Sequence, residues 1–291
     1  MSVTHLPLTV VLYDGPIGRA YLARLRQAGF LPERILLLIL DQHPATKKPY
    51  PRWLPFRQAY AEKMQNLALN HWPRMLPIQH AELYQSVVQT METFYGDAEK
   101  NLSEIQGKMN WANYALHVGR VVVTGLKDSR LESALRALPQ KTLLYTGGGI
   151  IPKNLFTIDD LCWLHVHPGH LPYIRGADGV LWGITQRGCP GAGLFYMEPG
   201  LDTGPVIRSG DLPHLQFKLP GARPDDQTLY RFLFSYYDPI LRADFLVQTL
   251  KQLPHLRMHE LPARVQDHAQ STTYRFMDEA QRKTALTLLF N

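Results

Sequence analysis

His165 and His167 alternate at the end of the apolar run Leu161, Trp163, Leu164, Val166, and Pro168, Gly169, His170, Leu171 and Pro172 follow them. A strand sends alternate side chains to one face, so both imidazoles point the same way. Pro168 has no N–H to donate and ends the ladder there, and the chain turns through Gly169. A carboxylate, Asp202, returns further along in the turn Pro199-Gly200-Leu201-Asp202-Thr203-Gly204-Pro205. Two imidazoles, a carboxylate and a glycine-rich backbone make an acid/base constellation.

Three chemistries suit it. In the first, one histidine is general base and acid, the carboxylate orients it, and the second side chain donates to an oxyanion. That suits acyl or formyl transfer without a covalent enzyme intermediate, since no serine or cysteine sits in a nucleophile elbow. In the second, His165, His167 and Asp202, with His170 in reach, bind a divalent metal for hydrolysis. In the third, the histidines are hydrogen-bonded core groups of a ligand-binding module without catalysis. The residue pattern alone leaves all three open.

The elements that must position these groups read as an α/β domain. Leu8 to Tyr13 is a β-branched apolar run broken at Asp14-Gly15-Pro16-Ile17-Gly18. Ile17, Tyr21, Leu22 and Leu25 then recur at helical spacing, and Ile35–Leu40 is apolar on both faces, as a buried parallel strand should be. Strand, turn, helix, strand opens a doubly wound, mostly parallel sheet. The turn is not G-x-G-x-x-G, so a tight βα turn is favoured over an anion site. Residues 41–117 form a helical insertion that could cover the site, with Trp53, Trp72 and Trp111 as packing anchors. Strands resume at 120–124 and 142–146. Asp128 or Ser129 caps the helix between them, in a capping box with Glu132. The strand at 142–146 runs into Gly147-Gly148-Gly149-Ile150-Ile151-Pro152, where missing side chains let a ligand approach the backbone. A further strand at 193–197, ending on Met197, leads into the Asp202 turn. An apolar helix over 226–251 and a small tail complete the chain. The division expected is 1–210, the catalytic domain with its 41–117 insertion, and 211–291, a C-terminal helical extension packed on it.

Composition bounds the function classes. The chain has 291 residues, 45% hydrophobic and 19% charged, with a formal net charge of +6. Lys and Arg are scattered, which disfavours a nucleic-acid groove and suits a small polyanionic substrate. Two cysteines, Cys162 and Cys189, give no disulfide framework or cysteine metal site. No run of ~20 apolar residues exists to span a membrane, and a cytoplasmic protein is expected.

The segment Leu164–Pro172 with Arg175-Gly176, and then Gly200–Ile207, resembles the folate-dependent formyltransferase family. That family carries Asn-x-His-Pro-Ser-Leu-Leu-Pro, an Arg-Gly and a later Leu-Asp-x-Gly. Gly149-Ile150-Ile151-Pro152 is similar to its Gly-x-Ile-Leu-Pro turn. The resemblance is dense over 120–210, weaker over 8–40 and absent from most of 41–117. It implies a Rossmann-like formyltransferase fold and N10-formyltetrahydrofolate as formyl donor. By the same resemblance His167 is general base and then acid, and Asp202 positions it. His165 stands where the family has the asparagine that steadies the oxyanion. Gly147, Gly148, Gly149, Ile150, Ile151, Met197, Gly200 and Leu201 wall the pterin, and no resident metal is implied. Gly169 and His170 replace the family Ser-Leu. The methionyl-tRNA member of the family carries a β-rich C-terminal domain, and no run of alternating short strands follows Ile207. The acceptor expected is therefore a small amine, such as a nucleotide-linked amino sugar.

Overall fold

The computed structural model describes residues 3–291 apart from residues 45 and 52. Strand β1 (Thr4–Leu12), helix α1 (Pro16–Gln27) and strand β2 (Phe30–Leu40) open the chain, and four helices follow: α2 (Arg57–Leu69), α3 (His71–Gln79), α4 (Ala81–Tyr95) and α5 (Ala98–Gln106). Then come β3 (His117–Val123), α6 (Ser129–Arg136), β4 (Thr142–Tyr145), the single turn α7 (Lys153–Phe156) and β5 (Cys162–His167). The remainder is β6 (Ile174–Gly176), α8 (Gly179–Arg187), β7 (Gly191–Tyr196), β8 (Val206–Asp211), α9 (Asp226–Phe232), α10 (Asp238–Gln252), β9 (Thr272–Tyr274) and α11 (Glu279–Leu289).

Seven strands make one sheet in the order β3-β2-β1-β4-β5-β7-β8. The first five run parallel, and β7 and β8 join antiparallel. This is the doubly wound, mostly parallel α/β fold. Alternation along each strand divides the core between its two faces. Val10, Leu12 and Leu144 pack on α1 and α10 residues such as Tyr21, Ile240 and Leu241. Their neighbours Val11, Leu143 and Tyr145 pack on Leu131 and Leu135 of α6 and on Leu155. Side-chain period 2 in a strand covered on both faces demands this continuous apolar composition.

The first βα turn is closed by the chain's own carboxylate. Buried Arg19 donates through Nε to Asp14 Oδ1 at 2.6 Å, and through Nη1 to the carbonyls of Ile105 and Gly107. Asn66 Nδ2 donates to Asp14 Oδ2 at 2.5 Å, and Asn70 Nδ2 to its carbonyl. The turn therefore binds α2 and the end of α5 to the sheet. Trp111 is buried and Trp72 half-buried beneath the Arg231 guanidinium. Trp53 departs from the expectation of a packing anchor: it is 80% exposed, in the proline-punctuated stretch before α2 where no apolar face is offered to it.

Two local readings change as well. Asp128 caps α6, accepting from the Arg130 amide, while Glu132 turns to Arg136 and Asn154, so no capping box forms. The apolar helix of 226–251 is continuous but carries a π turn at Leu233–Tyr237 between α9 and α10. An i→i+5 turn slips the helix register by one residue, a distortion common beside functional sites.

Candidate active site

The C-terminal ends of β4 and β5 border a cavity of about 700 Å³, where an open α/β sheet offers its ligand crevice. His165 and His167 reach it from β5, whose intervening residues Leu164 and Val166 are fully buried in the core. Asp202 reaches it from the turn between β7 and β8, in a left-handed conformation with φ 55°. Gly147, Gly148, Gly149, Ile150, Ile151, Met197, Gly200 and Leu201 line the same cavity. All eleven residues singled out from the sequence thus meet at one place. None of the lining residues comes from 41–117, so the helical insertion does not cover this site. Its contacts go to α1, α9, the π turn and the sheet.

The wall suits a flat ligand. No atom lies within 4 Å of where a Cβ would stand on Gly148 or Gly149, so a ring can lie against bare backbone there. Ile150 and Leu201 are exposed, and Tyr145 and Phe195 give the interior aromatic surface.

His167 is 3% exposed, with Nδ1 3.3 Å from Asp202 Oδ2. That same oxygen accepts the Gly176 amide at 2.9 Å, which fixes the carboxylate. Nε2 is buried without a hydrogen-bond partner. It lies against Gly169: a Cβ there would stand 2.8 Å from Nε2 and 2.7 Å from the Ile174 carbonyl oxygen. Burial pushes this imidazole below its ordinary pKa, opposed by Asp202 and the Ile174 carbonyl and reinforced by Arg242. On balance the surroundings favour the neutral ring, and the Asp202 charge offsets part of the cost of protonating it.

His165 is 8% exposed, and its Nδ1 lies 2.7 Å from the Tyr145 carbonyl oxygen. A carbonyl only accepts, so Nδ1 carries the hydrogen. Burial, with the Arg242 charge, pushes its pKa down to about 4, leaving the ring neutral at physiological pH. Nε2 then offers a lone pair, not an N–H. The oxyanion-donor role expected at this position is not available to His165 in this tautomer.

Sequence reasoning missed the polar pair opposite. Arg242 donates through Nε and Nη2 to the two carboxylate oxygens of Asp238, at 2.8 and 2.7 Å. Asp238 is fully buried, Arg242 is 9% exposed, and both line the cavity. The signal was present: a charged i, i+4 pair inside the apolar face Leu233, Tyr236, Ile240, Leu241, Phe245. Also missed was the tail. β9 pairs parallel with β6, which brings Tyr274, Arg275 and Phe276 to the cavity rim. Gly176 (φ 92°) permits this, because a Cβ there would lie 2.1 Å from the Tyr274 carbonyl oxygen. Asp178 anchors the strap, accepting from the Met277 amide and the Tyr230 hydroxyl.

No protein-family model matches the chain. Among curated proteins it is 30% identical over 172 residues to the methionyl-tRNA formyltransferase of Chloroflexus aggregans, covering 56% of this chain and 49% of that one. It is 41% identical over 91 residues to the methionyl-tRNA formyltransferase of Synechococcus sp. (strain CC9311), covering 30% of this chain and 26% of that one. Over this part of its length the chain is similar to methionyl-tRNA formyltransferases. It spans about half the length of the first of these relatives. A solved sugar N-formyltransferase from Shewanella sp FDAARGOS_354 aligns with 98% of this chain and 87% of its own, at TM-score 0.46 and 9% identity.

The metal-hydrolase alternative needs His165, His167 and Asp202 as one ligand set. Among the described residues, no group of three or more His, Cys, Asp or Glu side chains is placed to hold a metal ion. Nor is any described helix long and apolar enough to cross a membrane.

Proposed function

We propose that this chain transfers the formyl group of N10-formyltetrahydrofolate to the amine of a small, anionic acceptor. The observation that carries this reading is the His167–Asp202 pair, 3.3 Å apart in a glycine-walled cavity. Sequence similarity to formyltransferases supports the reaction class.

The donor fits the wall. Flat surface at Gly147–Ile151 and apolar side chains at Met197 and Leu201 suit a fused aromatic ring system. His167 takes the proton of the attacking amine. Asp202 then stabilises the imidazolium as it forms, and His167 returns the proton to the departing nitrogen. At the rim, exposed Arg275 and Phe276 suit an acceptor with negative charge and a flat ring. A nucleotide-linked amino sugar is an acceptor of that chemistry. On this reading the catalytic unit extends beyond residue 210, since Arg242 and Phe276 line the same cavity.

The test is incubation with the donor and a panel of amino-sugar nucleotides, following free tetrahydrofolate and N-formyl product by mass. Release with at least one amine, abolished by His167→Ala, is the expected result. No release with any amine, or full rates in His167→Ala, contradicts the reading.

A further inference from the structure

A formyl transfer builds negative charge on the formyl oxygen. The acceptor nitrogen forms the new C–N bond, the carbonyl π pair moves to oxygen, and its return breaks the bond to the donor nitrogen. The proton leaving the amine passes through His167 to that nitrogen, so the step needs no oxidant or reductant. Such an oxyanion needs a preorganised donor in a water-poor site. The family asparagine supplies an amide N–H there, but His165 has its one hydrogen on Nδ1, held by the Tyr145 carbonyl.

We propose that Arg242 is the catalytic residue that stabilises this oxyanion. It lines the cavity with His165, His167 and Asp202. Nε and Nη2 are committed to Asp238, in two parallel bonds that fix the guanidinium plane. Nη1 remains, with no hydrogen-bond acceptor among the described residues. The π turn at Leu233–Tyr237, immediately before Asp238, sets the register from which Asp238 and Arg242 both line the cavity. The charge is felt at both imidazoles, lowering the proton affinity of each. A cation placed so keeps His167 unprotonated before the attack and draws electrons toward the formyl oxygen during it. Arg275 also lines the cavity, but it is exposed at the rim and screened by water.

This inference rests on the proposed formyl transfer. Removing Arg242 alone would strand the buried Asp238 carboxylate and endanger folding, so the variant of choice is the double replacement Arg242→Met/Asp238→Asn. The expected result is a kcat lower by roughly 100- to 1000-fold, with the donor KM within about threefold of wild type. Arg242→Lys, which keeps the charge and loses the fork, should fall between. A folded double variant with a kcat within about threefold of wild type overturns the inference. An activity-independent arm uses NMR titration of His165, whose ring is faced by the Tyr145 carbonyl, Asp202, His167 and Arg242. Its midpoint should rise in the double variant, and an unchanged midpoint also overturns the inference. If wild-type protein releases no tetrahydrofolate with any amine, the functional reading fails instead, and the titration still decides whether the guanidinium charge reaches the site.

Discussion

Asp202 Oδ2 accepts the Gly176 amide at 2.9 Å while standing 3.3 Å from His167 Nδ1. The backbone thus aims the carboxylate at the imidazole, and the left-handed turn at Asp202 presents it. Asp202→Asn keeps the shape and removes the charge that stabilises the imidazolium. A loss of kcat on the order of 100- to 10,000-fold is expected, with thermal unfolding close to wild type. Steady-state kinetics beside a melting curve checks this. Because the two groups act as one unit, His167→Ala/Asp202→Asn should cost little more than His167→Ala alone.

Gly169 and His167 are coupled by space. The serine of the family pattern brings a Cβ, and here that atom would stand 2.8 Å from Nε2 and 2.7 Å from the Ile174 carbonyl oxygen. One of the three must move. Gly169→Ser should therefore lower kcat at least tenfold and destabilise the fold by about 1–3 kcal/mol. A variant with native rates and stability would show that the loop accommodates the side chain without shifting the imidazole.

The buried imidazoles also set a pH dependence. His165 has a folded value of about 4 against 6.5 for the free ring. Between these values the unfolded chain binds more protons than the folded one, so stability rises with pH across that window. Falling from about pH 6.5 toward 4 should cost on the order of 3 kcal/mol from this group. Urea unfolding at several pH values measures it, and His165→Asn should flatten the slope. His167 is also depressed, so the acid limb of kcat/KM should lie below the ordinary imidazole value. A limb above 6.5 would contradict the assignment of its burial.

Phe276 is 76% exposed at the rim and contributes nothing to the core. If it meets a flat part of the acceptor, Phe276→Ala should raise the acceptor KM about fivefold, for a contact of about 1 kcal/mol. The donor KM and the melting temperature should not move. Equal acceptor KM values would remove Phe276 from the binding surface.

The strands were legible because a sheet covered on both faces demands unbroken apolar runs, as Ile35–Leu40 has. The His165-x-His167 alternation gave a common face for the same reason of period. The Asp202 turn was legible through its glycines. Arg242 was passed over: its i, i+4 pairing with Asp238 inside an apolar face marked it, but an i→i+5 turn has no periodic signature to show which way that pair faces. The Thr272–Tyr274 strand is three residues long, and what seats it is a contact made possible by the missing Cβ of distant Gly176. The His165 tautomer depends on one backbone carbonyl, Tyr145, brought alongside by the β4–β5 pairing.

The most direct measurement follows the carbon itself. Donor labelled with ¹³C in the formyl group is mixed with the protein and an amino-sugar nucleotide, and the label is tracked by NMR. The account predicts that it moves into a formamide on the acceptor, in wild-type protein and not in His167→Ala. Label that stays on the donor, or emerges only as formate, would contradict it.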